Sequence, residues 1–190
     1  FTTDYGQYYG GSNGAVQVDT NAWALVAGDA DGDGTPDPWT FIEERADFQN
    51  LMQGDAPKRI LGLARVKSTL QQNRGGDKKA DPYVVPFIES VPTLKEMTLG
   101  AINVLDDDPD GFFLMIEGGA VDWAGHGNNS GRVIEEKIDF DLAIEAVIDW
   151  IDQNSSWNET MLVITGDHET GYLNGPGSGD NSQLAEGGVA

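Results

Sequence analysis

Two short apolar runs, each followed by acidic and imidazole side chains, constrain the fold of this sequence most. The first run, Phe112–Ile116, holds five consecutive apolar residues after the turn sequence at residues 108–111. Such a run is typical of a strand buried on both faces in the middle of a parallel sheet. Ligands bind at the carboxyl ends of strands in open α/β sheets, so we expect function directly after this strand.

Polar side chains follow the first run at a spacing that suits metal ligands. Glu117 ends the run, and the pair Gly118-Gly119 lets the backbone pass close to a ligand. Asp122 and His126 come next, four residues apart and on one face of a helical turn. A carboxylate at the end of a buried strand needs a charge partner or a metal ion to offset its desolvation, which makes Glu117 a candidate ligand.

The second run, Met161–Thr165, leads into a similar motif. Asp167 and His168 follow it, and His126 and His168 are the only two histidines of the chain. If the two runs are parallel neighbours in one sheet, five candidate ligands converge on its edge. These are Glu117, Asp122, His126, Asp167 and His168. Such a mixture predicts zinc near the histidines and an oxygen-preferring ion such as magnesium near the glutamate.

The two motifs together resemble the alkaline phosphatase family in its bacterial branch. They read Glu-Gly-Gly-Ala-Val-Asp-Trp-Ala-Gly-His at 117–126 and Thr-Gly-Asp-His-Glu-Thr-Gly at 165–171, and the resemblance runs through most of the chain after about Trp39. It implies a magnesium ligand at one position and two zinc sites with two ligands each. The implied ligands are Glu117 for magnesium, Asp122 and His126 for one zinc ion, and Asp167 and His168 for the other.

The resemblance also implies an activity, metal-dependent hydrolysis of phosphate monoesters at alkaline pH. In the family a serine nucleophile stands in an Asp-Ser-Ala type motif, which is absent here, so we assign no catalytic residue. We expect this chain to be the middle-to-late part of a periplasmic or extracellular enzyme. Alone it should be inactive, bind zinc weakly, and associate with another copy or with the missing part. Phosphodiesterases and sulfatases of the same superfamily are the alternatives.

An acidic loop at residues 29–37 gives a further candidate site. Asp29, Asp31, Asp33 and Asp37 occupy positions 1, 3, 5 and 9 of a calcium loop, with glycine at position 6. The twelfth position, where a bidentate glutamate is needed, is Thr40. Calcium binding and a solvated acidic turn therefore both stay open. A non-catalytic module stabilised by calcium is the competing function.

Charge excludes several classes of partner. Eleven basic residues face 32 acidic ones, for a net charge of -21. Such a surface repels nucleic acid and anionic membranes, so we expect neither as a partner. The sequence contains no cysteine and no apolar run of membrane-spanning length, and no stretch of it has the pattern of a signal peptide.

The pattern of elements predicts an α/β protein, part of a three-layer α/β/α fold with a mostly parallel sheet. A capping box at Thr93–Glu96 predicts a helix that ends near Leu105, and apolar periodicity predicts a long helix from Ser130 to about Asn154. Both apolar flanks of the long helix should be buried, the second formed by Ile134, Ile138 and Leu142, whereas Asp139 should lie on a solvated face. Arg74 falls in a polar loop at 73–81. The residues from Trp39 to Gln53 fit either a helix or a strand followed by a short helix, and the resemblance favours the latter. A further strand is expected at 60–64.

The domain organisation follows from the same pattern. Residues 1–38 predict a loop region rich in glycine and tyrosine that includes the acidic loop, and residues 174–190 predict a glycine-rich tail. Between them, residues 39–173 form the α/β core with the candidate metal ligands.

Overall fold

The computed structural model of the protein describes residues 28–29, 32–66 and 69–170. Six regular elements follow one another in this part of the chain. They are β1 (Thr40–Ile42), α1 (Arg45–Asn50), β2 (Ile60–Gly62), α2 (Leu94–Leu105), α3 (Ala120–His126) and α4 (Ser130–Asn154). Most of the loop region predicted at 1–38 and all of the tail predicted at 174–190 fall outside the described residues. Among those described, no helix combines the length and apolarity needed to cross a membrane.

The strands β1 and β2 form a parallel pair connected through α1. Thr40 pairs with Ile60 and Ile42 with Gly62, which confirms the predicted parallel arrangement. Helix α1 covers the pair through Phe48, and a Cβ atom at Gly62 would lie only 2.8 Å from the Phe48 ring. The small core of Ile42, Phe48 and Ala64 therefore depends on a residue without a side chain at the end of β2.

The N-terminus of α2 is fixed from three sides. The Thr93 hydroxyl accepts a hydrogen bond from the Glu96 N–H (3.1 Å), and the Glu96 carboxylate accepts one from the Thr93 N–H (2.9 Å), as the capping box predicts. Glu96 also forms an ion pair with Arg45 of α1 (2.9 Å). From α4, the Asp139 carboxylate accepts a hydrogen bond from the Leu94 N–H (3.1 Å). Asp139 is thus half-buried, although the sequence predicts it on a solvated face.

The long helix α4 packs against both α2 and α3. Ala143, Ala146 and Ile151 are buried along it, which confirms that one face of the helix meets the core. The second apolar flank predicted to be buried is Ile134, Ile138 and Leu142, and all three are exposed. That prediction is wrong for the described part of the chain, because α2 and α3 cover only one side of α4.

The two apolar runs expected as buried strands form neither helix nor strand. In the first, Leu114 and Ile116 are half-buried whereas Phe113 is 89% exposed, so burial alternates with the period of an extended chain. Phe112 rests edge-on against Trp150 of α4, with ring centroids 6.1 Å apart. One face of the run is covered by α4, but within the described residues no strand pairs with its backbone.

The second run is exposed in the same manner. Met161 is 85% exposed and Val163 is exposed as well, whereas Leu162 is half-buried. The prediction that these two runs are buried strands is therefore wrong for the described structure. A β-strand requires a neighbouring strand that accepts and donates its backbone hydrogen bonds, and neither run is paired with one among the described residues. The α/β class itself is confirmed by the parallel pair and its helices.

Arg74, predicted in a polar loop, is instead a buried residue with many partners. Its guanidinium donates to the backbone carbonyls of Pro86 (3.0 Å) and Val85 (2.8 Å) and lies 4.4 Å from the centre of the Phe87 ring. It also forms a two-pronged ion pair with Glu135 of α4, with both N···O distances at 2.9 Å. The segment from 71 to 87, which we call the Arg74 segment, is thereby fixed to α4.

A second arginine joins this buried ionic cluster. Arg132 lies 3.5 Å from the Glu135 carboxylate and donates to the Gly75 carbonyl (3.4 Å), while Glu135 also accepts from the Tyr83 N–H (2.7 Å). Glu136 is buried beside them. Its burial, together with the negative charges of Asp139 and Glu135, raises the pKa of Glu136 to about 7.

Candidate functional site

Helix α3 presents two of the candidate ligands, Asp122 and His126, on one face. It is only seven residues long, and it is fixed by close packing. A Cβ atom at Gly118, just before the helix, would lie 2.7 Å from the Phe140 ring, and Ala124 is fully buried. Gly118 therefore allows the start of α3 to lie directly on α4, which fixes the direction in which the ligands of this helix point.

Asp122 and His126 are close enough to bind one common metal ion. The Asp122 Oδ1 atom is 3.6 Å from the His126 Nε2 atom, and the His126 side chain is 72% exposed. Two ligand atoms of a single tetrahedral zinc ion lie about 3.4 Å apart, given metal–ligand distances of about 2.0–2.2 Å. The observed separation fits that requirement.

Asp167 and His168 repeat this arrangement. The Asp167 Oδ2 atom is 3.7 Å from the His168 Nε2 atom, and the other Asp167 oxygen accepts from the His168 N–H (3.0 Å). The pKa of His168 is raised above its usual value because its ring is hydrogen-bonded to the Glu169 carbonyl and because Asp167 is negatively charged. Bound zinc would compete with that proton, since an imidazole ligand must be deprotonated.

Thr170 joins the two motifs. Its hydroxyl donates a hydrogen bond to Asp122 Oδ1 and lies 3.1 Å from His168 Nδ1. It also packs on α3, because a Cβ atom at Gly125 would lie 3.2 Å from the Thr170 methyl group. The sequence places Thr170 beside His168, but no spacing signal reveals that it reaches a carboxylate 48 residues earlier.

Glu117 is the candidate ligand that stands outside these two pairs. It is exposed, and one of its carboxylate oxygens lies 2.9 Å from the position that a Cβ atom at Gly119 would take. The argument that burial forces Glu117 to take a charge partner therefore does not apply. Its role as a magnesium ligand stays a prediction from the motif.

The donor set fits zinc in part. Each pair provides one carboxylate and one imidazole at a suitable distance, whereas zinc sites in proteins use three or four protein ligands. Across residues 28–29, 32–66 and 69–170, no group of three or more histidine, aspartate or glutamate side chains is arranged to hold an ion. Two ligands from this chain for each zinc ion is what the resemblance implies.

The sequence model of the alkaline phosphatase family matches residues 34–186, which is most of the chain. This chain belongs to the alkaline phosphatase family. The match includes both motifs and every element of the described fold.

Several curated alkaline phosphatases are similar to this chain. Alkaline phosphatase 3 of Bacillus subtilis is 35% identical over 133 residues, which covers 70% of this chain and 25% of the relative. The repressible alkaline phosphatase of Saccharomyces cerevisiae is 30% identical over 141 residues, covering 71% and 23%. The chain thus spans about a quarter of the length of these relatives.

Among solved structures, a cold-active alkaline phosphatase from the psychrophile Shewanella sp. is similar to this chain. The sequence identity is 28% and the TM-score is 0.44, with 60% of this chain and 25% of that chain covered.

The acidic loop lies mostly before the region that matches the alkaline phosphatase family. The Asp29 carboxylate accepts from the N–H groups of Gly32 (2.8 Å) and Gly34 (2.7 Å), and Asp37 forms an ion pair with Arg59. Asp33 accepts from the Thr35 N–H (2.7 Å). Asp31 lies outside the described residues. These bonds order the turn through its own backbone, and calcium binding there stays a prediction.

Proposed function

We propose that this chain forms part of the active site of a metal-dependent phosphomonoester hydrolase. The observation that supports the proposal most is the contact of Thr170 with both Asp122 and His168, which brings the two family motifs together. Asp122 with His126 would hold one zinc ion, and Asp167 with His168 the other. Glu117 would bind magnesium.

The residues of this chain would serve mainly to bind and orient. Thr170 donates to Asp122 Oδ1, the same oxygen that lies 3.6 Å from His126 Nε2, and this bond would orient the carboxylate toward an ion shared with His126. The backbone N–H of His168 holds Asp167 Oδ1, while Asp167 Oδ2 lies 3.7 Å from His168 Nε2. Bound zinc would supply electrostatic stabilisation of the charge that develops on the ester oxygens.

Substrate class is also part of the proposal. Phosphate monoesters are preferred here over phosphate diesters and sulfate esters, because the Glu-Gly-Gly-Ala-Val-Asp motif with its histidine resembles the phosphatase branch of the superfamily. We further propose a periplasmic or extracellular location, on the same resemblance.

A comparison of ester substrates tests this function. The full-length enzyme is expected to hydrolyse a phosphate monoester, such as p-nitrophenyl phosphate, faster at alkaline pH than the matching diester or sulfate ester. A chelator should abolish turnover, and zinc with magnesium should restore it whereas calcium alone should not. Preferential hydrolysis of the sulfate ester, or full activity after metal removal, contradicts the proposal.

A further inference from the structure

The end of α3 is a tight backbone turn directly after the candidate ligand His126. The Asn129 N–H donates to the Ala124 carbonyl (3.0 Å) and the Asn128 N–H to the Gly125 carbonyl (2.9 Å). Asn128 has a left-handed backbone with φ of 49°. These two hydrogen bonds form a Schellman motif, which ends a helix. His126 is the last helical residue and lies within the turn that the motif closes.

Two carbonyls of this turn are bound by a lysine from a distant part of the sequence. The Lys79 Nζ atom donates to the Asn128 carbonyl (2.6 Å) and to the Gly127 carbonyl (3.3 Å). A cation at the C-terminus of a helix binds carbonyls that have no partner within the helix and also interacts favourably with the helix dipole. Lys79 thus stabilises the turn that ends α3.

Lys79 is held in this position by the Arg74 segment, to which it belongs. The buried pair of Arg74 and Glu135 fixes the segment to α4. The Ala80 carbonyl, next to Lys79 in the chain, lies very close to Gly131 of α4. A Cβ atom added at Gly131 would lie only 2.3 Å from this carbonyl oxygen. The segment therefore rests directly on the first turn of α4, and Lys79 extends from it to the end of α3.

A second contact connects the Arg74 segment to the same turn. With its amide nitrogen turned toward the two carbonyls, Asn129 donates to Lys78 O (3.3 Å) and to Gly127 O (3.0 Å). Residues 127–129 are therefore bonded to two consecutive residues of the segment, through two backbone carbonyls to Lys79 and through the Asn129 side chain to Lys78.

We propose that Lys79 is a positioning residue for His126. Its ammonium group keeps the last turn of α3 closed, and this holds the His126 imidazole at its distance from Asp122. The inference rests on the proposed function, because His126 is there a metal ligand. The described bonds of the Lys79 ammonium group go to the carbonyls of Gly127 and Asn128, so Lys79 would act through the backbone of this turn.

Three variants of the whole 190-residue chain test this role. Lys79→Met removes the donor and the charge, while Lys79→Arg keeps both. Lys78→Met is the matched control, because this substitution removes the same charge from the neighbouring position. Among the bonds described, the Lys78 ammonium group donates only to Asn73 (2.8 Å).

Hydrogen exchange at the turn gives the first readout, and it needs no metal. We expect Lys79→Met to speed amide exchange at Asn128 and Asn129 about fivefold, the size of effect of a cation at a helix C-terminus. Lys79→Arg and Lys78→Met should leave both rates near those of the unchanged protein. Equal rates in Lys79→Met and Lys78→Met would overturn the proposal.

Zinc titration followed by proton NMR gives the second readout, since the chain has only two histidines and each ring can be followed separately. Lys79→Met should weaken the response of His126 about threefold and leave that of His168 unchanged. If Lys79 affected zinc only through its positive charge, removing that charge should strengthen zinc binding at His126. Stronger binding by Lys79→Met would therefore also overturn the proposal. If His126 of the unchanged protein does not respond to zinc, the proposed function fails, and the exchange rates alone decide the role of Lys79.

Discussion

Replacing Glu135 by alanine should destabilise the protein by about 3–5 kcal/mol, because it leaves two buried cations without their anion. Arg74 is only 4% exposed and Arg132 only 3%, and both depend on this carboxylate. The Tyr83 N–H would lose its acceptor as well. A loss of this size is a large fraction of the stability of a domain, so the Arg74 segment should detach from α4.

Urea unfolding followed by circular dichroism measures this effect. Glu145→Ala is the matched control, since Glu145 is an exposed glutamate on the same helix and its replacement should change the free energy of unfolding by no more than about 0.5 kcal/mol. The double variant Arg74→Met/Glu135→Met should be less damaging than the sum of the two single variants, because it removes both charges together. A loss below about 1 kcal/mol for Glu135→Ala would contradict the buried ion pair.

Glu136→Gln should make the protein more stable at pH 8 but not at pH 5. The pKa of Glu136 is raised to about 7 by burial and by the nearby charges of Asp139 and Glu135, against the attraction of Arg132. Between the unfolded pKa and this value, the folded state holds a proton that the unfolded state has lost. The native protein therefore loses stability as pH rises through 7, by about 3 kcal/mol at most. A neutral glutamine avoids this loss.

The free energy of unfolding of both proteins, measured between pH 5 and pH 9, tests the effect. The two curves should separate by about 2–3 kcal/mol above pH 7 and converge near pH 5. Glu145→Gln, on the exposed side of α4, should follow the native curve throughout. Parallel curves for Glu136→Gln and the native protein would show that the glutamate is ionised over the whole range.

Features set by neighbouring residues could be predicted from the sequence. The capping box at Thr93 and Glu96 and the apolar period of α4 depend only on nearby side chains, and both helices begin and end close to the predicted residues. The strands β1 and β2 were also expected, although the resemblance and not the local sequence favoured the first, and their pairing with each other was not predicted.

Features that depend on distant residues could not be predicted. Phe112–Ile116 has the composition of a buried strand, but becoming one requires a paired neighbour, which composition does not reveal. Arg74 stands in a polar stretch of sequence, and its burial depends on Glu135, which lies 61 residues later. Within the candidate site, the motifs identify the pairs of ligands, whereas the link through Thr170 appears only when the chain is folded.

The central claim is that each motif binds one zinc ion. Zinc titration of this chain, observed by proton NMR at its two histidine rings, tests it most directly. With two ligands per ion, binding should be weak, and both rings should shift only at high zinc concentration. Asp122→Ala should remove the response of His126 and largely spare His168, and Asp167→Ala should do the reverse. If neither ring responds to zinc, or if both respond equally in the two aspartate variants, the assignment of the ligand pairs is wrong.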